Sequence, residues 1–135
     1  MNNKRILAPI YLTKPGIQIL DLGTAVGLFL RSIQPLLTEP YTLLGFDVTQ
    51  KSFPPTASPH TTCAIHDIAE PWPNKLHGTC GLVRQGFTIL GGAKKATPCK
   101  IIRYPCQQLV KPGGWIQLCE MNVTGTVHGP AMCDA

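Results

Sequence analysis

The sequence has no long hydrophobic run and few charged side chains. No segment approaches the roughly 20 consecutive apolar residues that a membrane-spanning helix needs, and the apolar stretch after the N-terminus is broken at Pro9. Only 14% of the residues are charged whereas 44% are hydrophobic, which is too apolar for a disordered chain. We therefore expect a globular, soluble and cytoplasmic protein with no membrane partner.

Paired metal-binding motifs are missing as well. The six cysteines include no Cys-x-x-Cys pair and no cysteine and histidine spacing of the kind that zinc sites use. Several of them lie in apolar, strand-like runs, which favours reduced and buried thiols. The sequence therefore predicts no metal site.

Positive charge is present but is not concentrated. The formal net charge is +5, yet lysines and arginines occur singly or in pairs such as residues 94–95, without an aromatic-studded basic stripe. We therefore predict no nucleic-acid partner, and we interpret that lysine pair as part of a solvated loop. The length of 135 residues fits a single domain over residues 1–135 with one core.

Short apolar runs alternate with helical periodicity along the chain. Strands are predicted over residues 17–22, 41–47, 62–65, 80–85 and 115–121. One helix is predicted over 26–37, ended or kinked by Pro35, and another after the cap Thr97, bent at Pro105. Because uninterrupted apolar strands indicate burial on both faces, we predict an α/β fold: a Rossmann-like, mostly parallel sheet of about five strands with flanking helices.

The first predicted strand ends in a turn suited to a nucleotide-like ligand. In parallel α/β sheets, ligands bind beyond the carboxyl ends of the strands, near the point where the strand order reverses. Residues 21–27 combine a sharp turn at Gly23 with a helix start, whose free amides can donate hydrogen bonds to a ligand. A purely structural turn between strand and helix explains this segment equally well.

Two further strand ends carry acidic residues. Asp47 lies 24 residues beyond Gly23, about where dinucleotide-binding folds place the acid that accepts from ribose hydroxyls; the alternative is a plain turn-forming aspartate. At the third end, Asp67 can accept from an adenine amino group while Ile68 packs on the ring. The preceding His66 also suggests acid-base catalysis, but no serine or cysteine nucleophile motif accompanies it.

A series of short segments matches the order and spacing of the motifs of one family. These segments are residues 19–24, 44–48, 53–55, 66–68, 71–73, 76–78 and 109–120. Together they resemble the fungal class I methyltransferases of secondary metabolism, which depend on S-adenosylmethionine (SAM). The resemblance extends over residues 17–121, and its most specific part is Lys-Pro-Gly-Gly-Trp-Ile-Gln at 111–117.

The resemblance implies SAM as cofactor and a small-molecule substrate. It implies that Asp47 binds the ribose, and that Asp67 with Ile68 binds the adenine. The methionine end of SAM would lie against residues of the first glycine turn: Asp21, Gly23, Thr24 and Gly27. Methyl transfer from a sulfonium needs mainly an aligned in-line displacement, with a base in some reactions only. The candidate bases are His66, Glu120 and His128.

The sequence departs from the family in several places. Ala25 stands where the family usually has glycine, while Gly81 and Gly86 replace an acid and an arginine, so two polar groups near cofactor and substrate are expected to be lost. The sequence also ends soon after the fifth strand, so we expect an incomplete class I fold, truncated at the C-terminus, with an exposed edge at strand 4 or strand 5. Such an edge predicts a homodimer or heteromer that covers it.

Two other functions remain open at this point. One is a catalytically degenerate methyltransferase-like protein that acts as a binding or partner subunit, or that is recruited for a different biosynthetic reaction. The other is an NAD-type dehydrogenase half-domain, which shares the glycine turn and the acid after the second strand. Dehydrogenases have no motif like residues 111–117, which argues against the latter.

Overall fold

Five strands and several short helices make up the part of the chain that the computed structural model describes, residues 5–56 and 58–120. The strands are β1 Ile17–Leu22, β2 Tyr41–Asp47, β3 Thr61–Ile65, β4 Cys80–Gly86 and β5 Val110–Cys119. The α-helices are α1 Leu28–Ile33, α2 Ile89–Gly92 and α3 Pro98–Tyr104. Turns of 3-10 helix cover Gln34–Leu36 and Asn74–Leu76, and a π-helical turn covers Pro105–Leu109. His128 and Met121 lie outside the described residues.

The strands form one sheet in the order β3-β2-β1-β4-β5, and every neighbouring pair is parallel. The chain runs outward from β1 through β2 to β3 and then crosses back to place β4 on the other side of β1. The strand order therefore reverses between β1 and β4. This confirms the predicted Rossmann-like α/β sheet and locates the expected crevice above the carboxyl ends of these two strands.

Both faces of the sheet are buried because neighbouring strands direct alternate side chains into separate cores. Ile19 and Leu82 pack on the face that α1 covers. Leu20 and Val83 pack on the opposite face against Ile101 of α3. All of these side chains are fully buried, and each contributes about 1.5–3 kcal/mol of hydrophobic free energy. The central strands are thereby held rigidly beneath the crevice.

The first helix is shorter than predicted. It begins at Leu28 because Ala25 (φ 45°) and Gly27 (φ 71°) adopt left-handed backbone conformations that an α-helix cannot include. Val26, predicted on the buried face, is 49% exposed. The α-helix ends before Pro35, which lies in a 3-10 turn, as the sequence predicts.

The other helices are also short. α3 follows Thr97, whose hydroxyl oxygen accepts from the Lys100 amide at 3.3 Å, as predicted for an N-cap. α2 was not predicted from the sequence, because Ile-Leu-Gly-Gly shows no helical periodicity. Within the described ranges, no helix combines the length and the apolar character needed to cross a bilayer.

The last strand begins earlier than predicted. Residues 111–114, part of the most specific motif of the sequence, form a bulge inside β5, since Cys80 pairs with Val110 and Leu82 pairs with Trp115. β5 is an edge strand, whereas β4 lies inside the sheet. The expected exposed edge therefore belongs to β5 alone, where Trp115 is 45% exposed.

The cysteines of the described segments are free, but they are not uniformly buried. Cys80 is buried, whereas Cys99 and Cys106 are exposed. The prediction of buried thiols is wrong for these two, because Ile101 and Leu109 occupy the buried positions of that helical segment.

Candidate functional site

A cavity of about 500 Å³ lies above the carboxyl ends of the strands. It receives residues from the ends of β1, β2, β3 and β4 and from α2, so it occupies the predicted crevice. The residues that line it are Gly23, Ala25, Asp47, Val48, His66, Asp67, Ile68, Gly86, Phe87, Thr88, Gly91, Gly92 and Lys95. A volume of this size lies within the range of about 300–1,000 Å³ that is typical of small-molecule sites.

The turn after β1 is packed tightly against the end of β4. Gly23 has a φ of 74°, and a Cβ atom there would come within 2.5 Å of the Gly86 carbonyl oxygen. The amides of Gly23 and Thr24 both donate to the carbonyl oxygen of Phe46, at 2.9 and 3.0 Å. These two amides are therefore engaged with β2 and are not free for a ligand.

Asp47 ties the second strand end to the same turn. One carboxylate oxygen accepts from the Ala25 amide at 3.0 Å, and the other accepts from the Val48 amide at 2.8 Å. Because an ionised carboxylate offers about four lone-pair sites, acceptor capacity remains on the cavity side. Asp47 can thus brace the loop and bind a ligand hydroxyl at once.

Asp21 lies beneath the cavity in a buried ion pair. Its Oδ1 accepts from Arg84 Nη1 at 2.8 Å, and its side chain is 1% exposed. Burial raises the pKa of this carboxyl above its usual value, while the hydrogen bond and charge of Arg84 oppose that shift. The guanidinium carbon lies 4.7 Å from the centre of the Phe29 ring, a cation-π contact.

Asp67 is held at the rim by two donors. Its Oδ1 accepts from the Ala69 amide at 3.0 Å, and its Oδ2 accepts from the ammonium of Lys95. The hydrogen bond from Lys95 is the largest cause of a lowered pKa at Asp67, so this carboxyl stays ionised at neutral pH. Ile68, its neighbour, is 6% exposed and presents an apolar wall to the cavity.

His66 is part of an aromatic stack at the cavity wall. Its ring stacks on Trp72 with centroids 3.9 Å apart, and its Nε2 lies 3.4 Å from the Glu70 carbonyl oxygen. Phe46 contacts both rings edge-on. The ring is thus packed at the cavity wall, and its role as a base stays a prediction.

Glu120 is also engaged with the backbone. Its Oε1 accepts from the amides of Thr88 at 2.9 Å and Ile89 at 3.1 Å. These amides lie at the start of α2, whose N-cap residue Thr88 makes no capping hydrogen bond with its own side chain. The Glu120 carboxylate therefore caps the helix and links it to the end of β5. Neither Glu120 nor any residue of β5 lines the cavity.

The predicted cofactor residues fall into distinct positions. Gly23, Asp47, Asp67 and Ile68 line the cavity together. Asp21 and Thr24 are buried beside it. Gly27 lines a separate groove, where a Cβ atom would lie 3.3 Å from Pro54. The assignment of all these residues to SAM stays a prediction.

The two unusual glycines of β4 differ in position. Gly86 lines the cavity, and a Cβ atom there would come within 2.7 Å of the Arg84 guanidinium. Gly81 lies at the amino end of β4 near Ile17 and Lys111, away from the cavity. The expectation that Gly81 removes a polar group near the cavity is therefore wrong, because Gly81 is the second residue of β4 and the cavity lies at the carboxyl end of that strand.

Sequence reasoning missed several residues of the site. Arg84 belongs to no recognisable motif. Only the pairing of β4 with β1, which places Arg84 opposite Asp21, shows that the two side chains meet. Phe87, which has a φ of 54°, and Thr88 reach the cavity through the unpredicted α2 segment. Lys95 belongs to the pair interpreted as a solvated loop, and its spacing from Asp67 gives no signal of contact.

Several known fungal proteins are similar in sequence to this chain. No protein-family model matches the chain. The chain is 36% identical over 135 residues to the methyltransferase psoC of Aspergillus fumigatus, covering 99% of this chain and 49% of that protein. It is 39% identical over 117 residues to the N-methyltransferase sirN of Leptosphaeria maculans, covering 87% of this chain and 40% of that protein. Over most of its own length the chain is thus similar to fungal methyltransferases.

Solved structures show the methyltransferase fold as well. A structure of the Haloferax volcanii Trm112 methyltransferase activator in complex with a methyltransferase matches with a TM-score of 0.63 and 18% identity, covering 78% of this chain and 46% of that chain. The Haemonchus contortus phosphoethanolamine N-methyltransferase 2 in complex with S-adenosyl-L-methionine matches with a TM-score of 0.61 and 18% identity, covering 97% of this chain and 29% of that chain. At these identities the likeness concerns the fold alone.

These similarities bear on the two alternatives that the sequence left open, a dehydrogenase half-domain and a degenerate methyltransferase-like protein. The relatives and the structural neighbours are methyltransferases, which argues against the dehydrogenase half-domain. They also disfavour the degenerate protein recruited for another role. The chain spans about half the length of psoC and somewhat less of sirN.

Proposed function

We propose that the chain binds SAM in the cavity above β1 and β4 and serves methyl transfer to a nitrogen atom of a small molecule. The observation that carries this proposal is the convergence of Gly23, Asp47 and Asp67 from different strand ends on one cavity. The N-methyltransferases among the relatives support nitrogen as the acceptor.

An unpartnered hydroxyl supports a polar ligand at the glycine turn. Thr88 lines the cavity, and its Oγ1 is buried and has no hydrogen-bond partner within the described ranges. Buried polar atoms normally have a partner, so this hydroxyl is suited to a polar group of a ligand. Thr88 lies directly beside Gly23, since a Cβ atom on the glycine would come within 2.6 Å of the threonine methyl group. We propose that the amino-acid end of SAM binds at this position.

The remaining parts of SAM match the other residues. Asp47 retains acceptor sites for the ribose hydroxyls, in addition to its two backbone donors. Ile68 would pack on the adenine, and Asp67 would accept from the adenine amino group. Bound SAM would supply a methyl group that the sulfonium charge already activates.

The chain's own contribution to methyl transfer is orientation rather than proton transfer. His66 is stacked on Trp72, and Glu120 caps α2, so neither side chain is placed as a free base. An acceptor amine that is neutral when it binds needs only alignment with the methyl group, and alignment alone accelerates such displacements greatly.

Calorimetric titration with S-adenosylhomocysteine and SAM tests the proposal. We expect micromolar dissociation constants, and we expect Asp47→Asn to weaken binding by about 10- to 100-fold, because a charged acceptor of ribose hydroxyls is lost. The control is Glu39→Gln, which removes an exposed carboxylate that pairs with His60 and does not line the cavity. Absence of binding at millimolar ligand would contradict the proposal.

We also propose that a partner strand or a second copy covers β5. Its outer edge faces no other strand of the described sheet, and Trp115 and Leu118 are 45% and 43% exposed. Edges of this kind template further pairing. Light scattering of the purified chain tests this, and a strictly monomeric mass across the concentration range would contradict it.

A further inference from the structure

The geometry points to a latch role for Lys95: its ammonium donates to Asp67 Oδ2 at the cavity and competes there with an adenine amino group. This inference rests on the proposed function. It adds that an ion pair between Lys95 and Asp67 lies at the proposed adenine end of the cavity. The affinity for a ligand then depends on the strength of that ion pair.

Two donors already contact the Asp67 carboxylate. The Ala69 amide holds Oδ1 at 3.0 Å, and Lys95 donates to Oδ2. Lys95 itself lines the cavity beside Asp67 and Ile68. The ammonium therefore lies on the side of the carboxylate from which a ligand approaches, where it competes with an adenine amino group for the same oxygen.

The backbone that carries Lys95 is fixed, while its side chain is not. The Lys95 amide donates to the Gly92 carbonyl oxygen at 2.9 Å, and a Cβ atom on Gly92 would come within 2.7 Å of Ile101 in the core. The Lys95 side chain is 65% exposed, compared with 22% for Asp67. The ammonium can thus swing into solvent without any movement of α2 or α3, and it remains near enough to return.

The competition predicts an unusual response to salt. Salt screens an exposed ion pair and so favours the open position of Lys95. The hydrogen bond between a neutral adenine amino group and Asp67 carries no second charge and is less affected. Added salt should therefore tighten the binding of an uncharged adenine ligand, whereas for a ligand attracted by charge it would weaken binding.

Adenosine is the most direct probe, because it carries the adenine and the ribose but no charge. We would measure its dissociation constant at about 20 and about 500 mM sodium chloride, where the screening length differs several-fold. For the unaltered chain we expect binding about two- to fivefold tighter at high salt, the range that exposed ion pairs allow. Lys95→Gln should bind with that higher affinity at both salt concentrations. Lys94→Gln is the matched control, since it removes the neighbouring charge outside the cavity, and it should behave as the unaltered chain.

The outcomes separate the latch from the proposed function. Weaker binding by Lys95→Gln would overturn the latch and would make Lys95 a ligand contact instead. Equal affinity of Lys95→Gln and the unaltered chain at both salt concentrations would also overturn it, with the proposed function intact. If neither adenosine nor S-adenosylhomocysteine binds to any variant, the proposed function fails and the latch fails with it.

Discussion

At the scale of single residues, Ala25 carries backbone strain in the loop that lines the cavity. Its φ of 45° lies in the left-handed region, where a Cβ atom approaches the carbonyl oxygen. Its amide is nonetheless needed, because it donates to Asp47. The loop therefore keeps a glycine-like conformation at a position where the family usually has glycine.

We expect Ala25→Gly to stabilise the chain by about 0.5–1 kcal/mol, since relief of the left-handed strain exceeds the added entropy of the unfolded state. Urea denaturation measures the change in the free energy of unfolding. Ala93→Gly serves as control, because Ala93 has a φ of −61° and should lose stability instead. A loss of stability in both variants would contradict the strain at Ala25.

Removal of the Arg84 guanidinium leaves Asp21 buried without its cation. We expect Arg84→Met to lower the free energy of unfolding by about 3 kcal/mol, and the double variant Asp21→Asn with Arg84→Met to recover part of this loss. Denaturation of the single and double variants measures the coupling. Equal stability of the two would show that Asp21 does not depend on this pair.

The same carboxyl gives stability a dependence on pH. Burial raises the Asp21 pKa in the folded chain above its unfolded value. The folded state therefore retains the proton longer, and this group's contribution to stability falls as pH rises from the unfolded pKa through the folded one. Arg84→Met should steepen that fall, which denaturation at a series of pH values would reveal. A slope unchanged from that of the parent chain would contradict it.

At the scale of elements, α2 and α3 meet through a glycine. A Cβ atom on Gly92 would come within 2.7 Å of Ile101, whereas one on Gly91 would meet nothing within 4 Å. We expect Gly92→Ala to destabilise the chain by about 1–3 kcal/mol through overpacking, while Gly91→Ala should stabilise it by up to about 1 kcal/mol through helix propensity. Thermal or urea unfolding of this matched pair checks the packing. Similar effects of the two substitutions would show that α2 does not contact α3 as described.

At the scale of the whole molecule, the cavity joins segments that contact one another only in the folded chain. A ligand that binds there stabilises the entire fold by mass action. S-adenosylhomocysteine at about 100 times its dissociation constant should raise the free energy of unfolding by about 2.7 kcal/mol. The same ligand should stabilise Asp47→Asn much less at equal concentration. Stabilisation that does not depend on Asp47 would place the ligand elsewhere.

The sequence by itself determined the strands, the capped helix and the glycine turn, but not the short helix α2. Apolar strands such as Ile17–Leu22 and Tyr41–Asp47 need burial on both faces, Thr97 caps a helix, and Gly23 requires a turn. These properties arise from neighbours along the chain, so periodicity and turn residues predict them. The parallel sheet was therefore predicted correctly, while the binding of SAM at its carboxyl edge stays a prediction.

Only the tertiary structure decided which polar groups meet. Arg84 and Asp21 are 63 residues apart in sequence, Glu120 and Thr88 are 32 apart, and Lys95 and Asp67 are 28 apart. Contacts between residues so far apart in sequence depend on the order in which the strands pair. The local pattern of hydrophobic residues does not indicate that order. The predicted glycine turn is present as a turn, but the amides of Gly23 and Thr24 are bonded to β2. Lys95 pairs with Asp67 at the end of β3, a contact that no local pattern indicated.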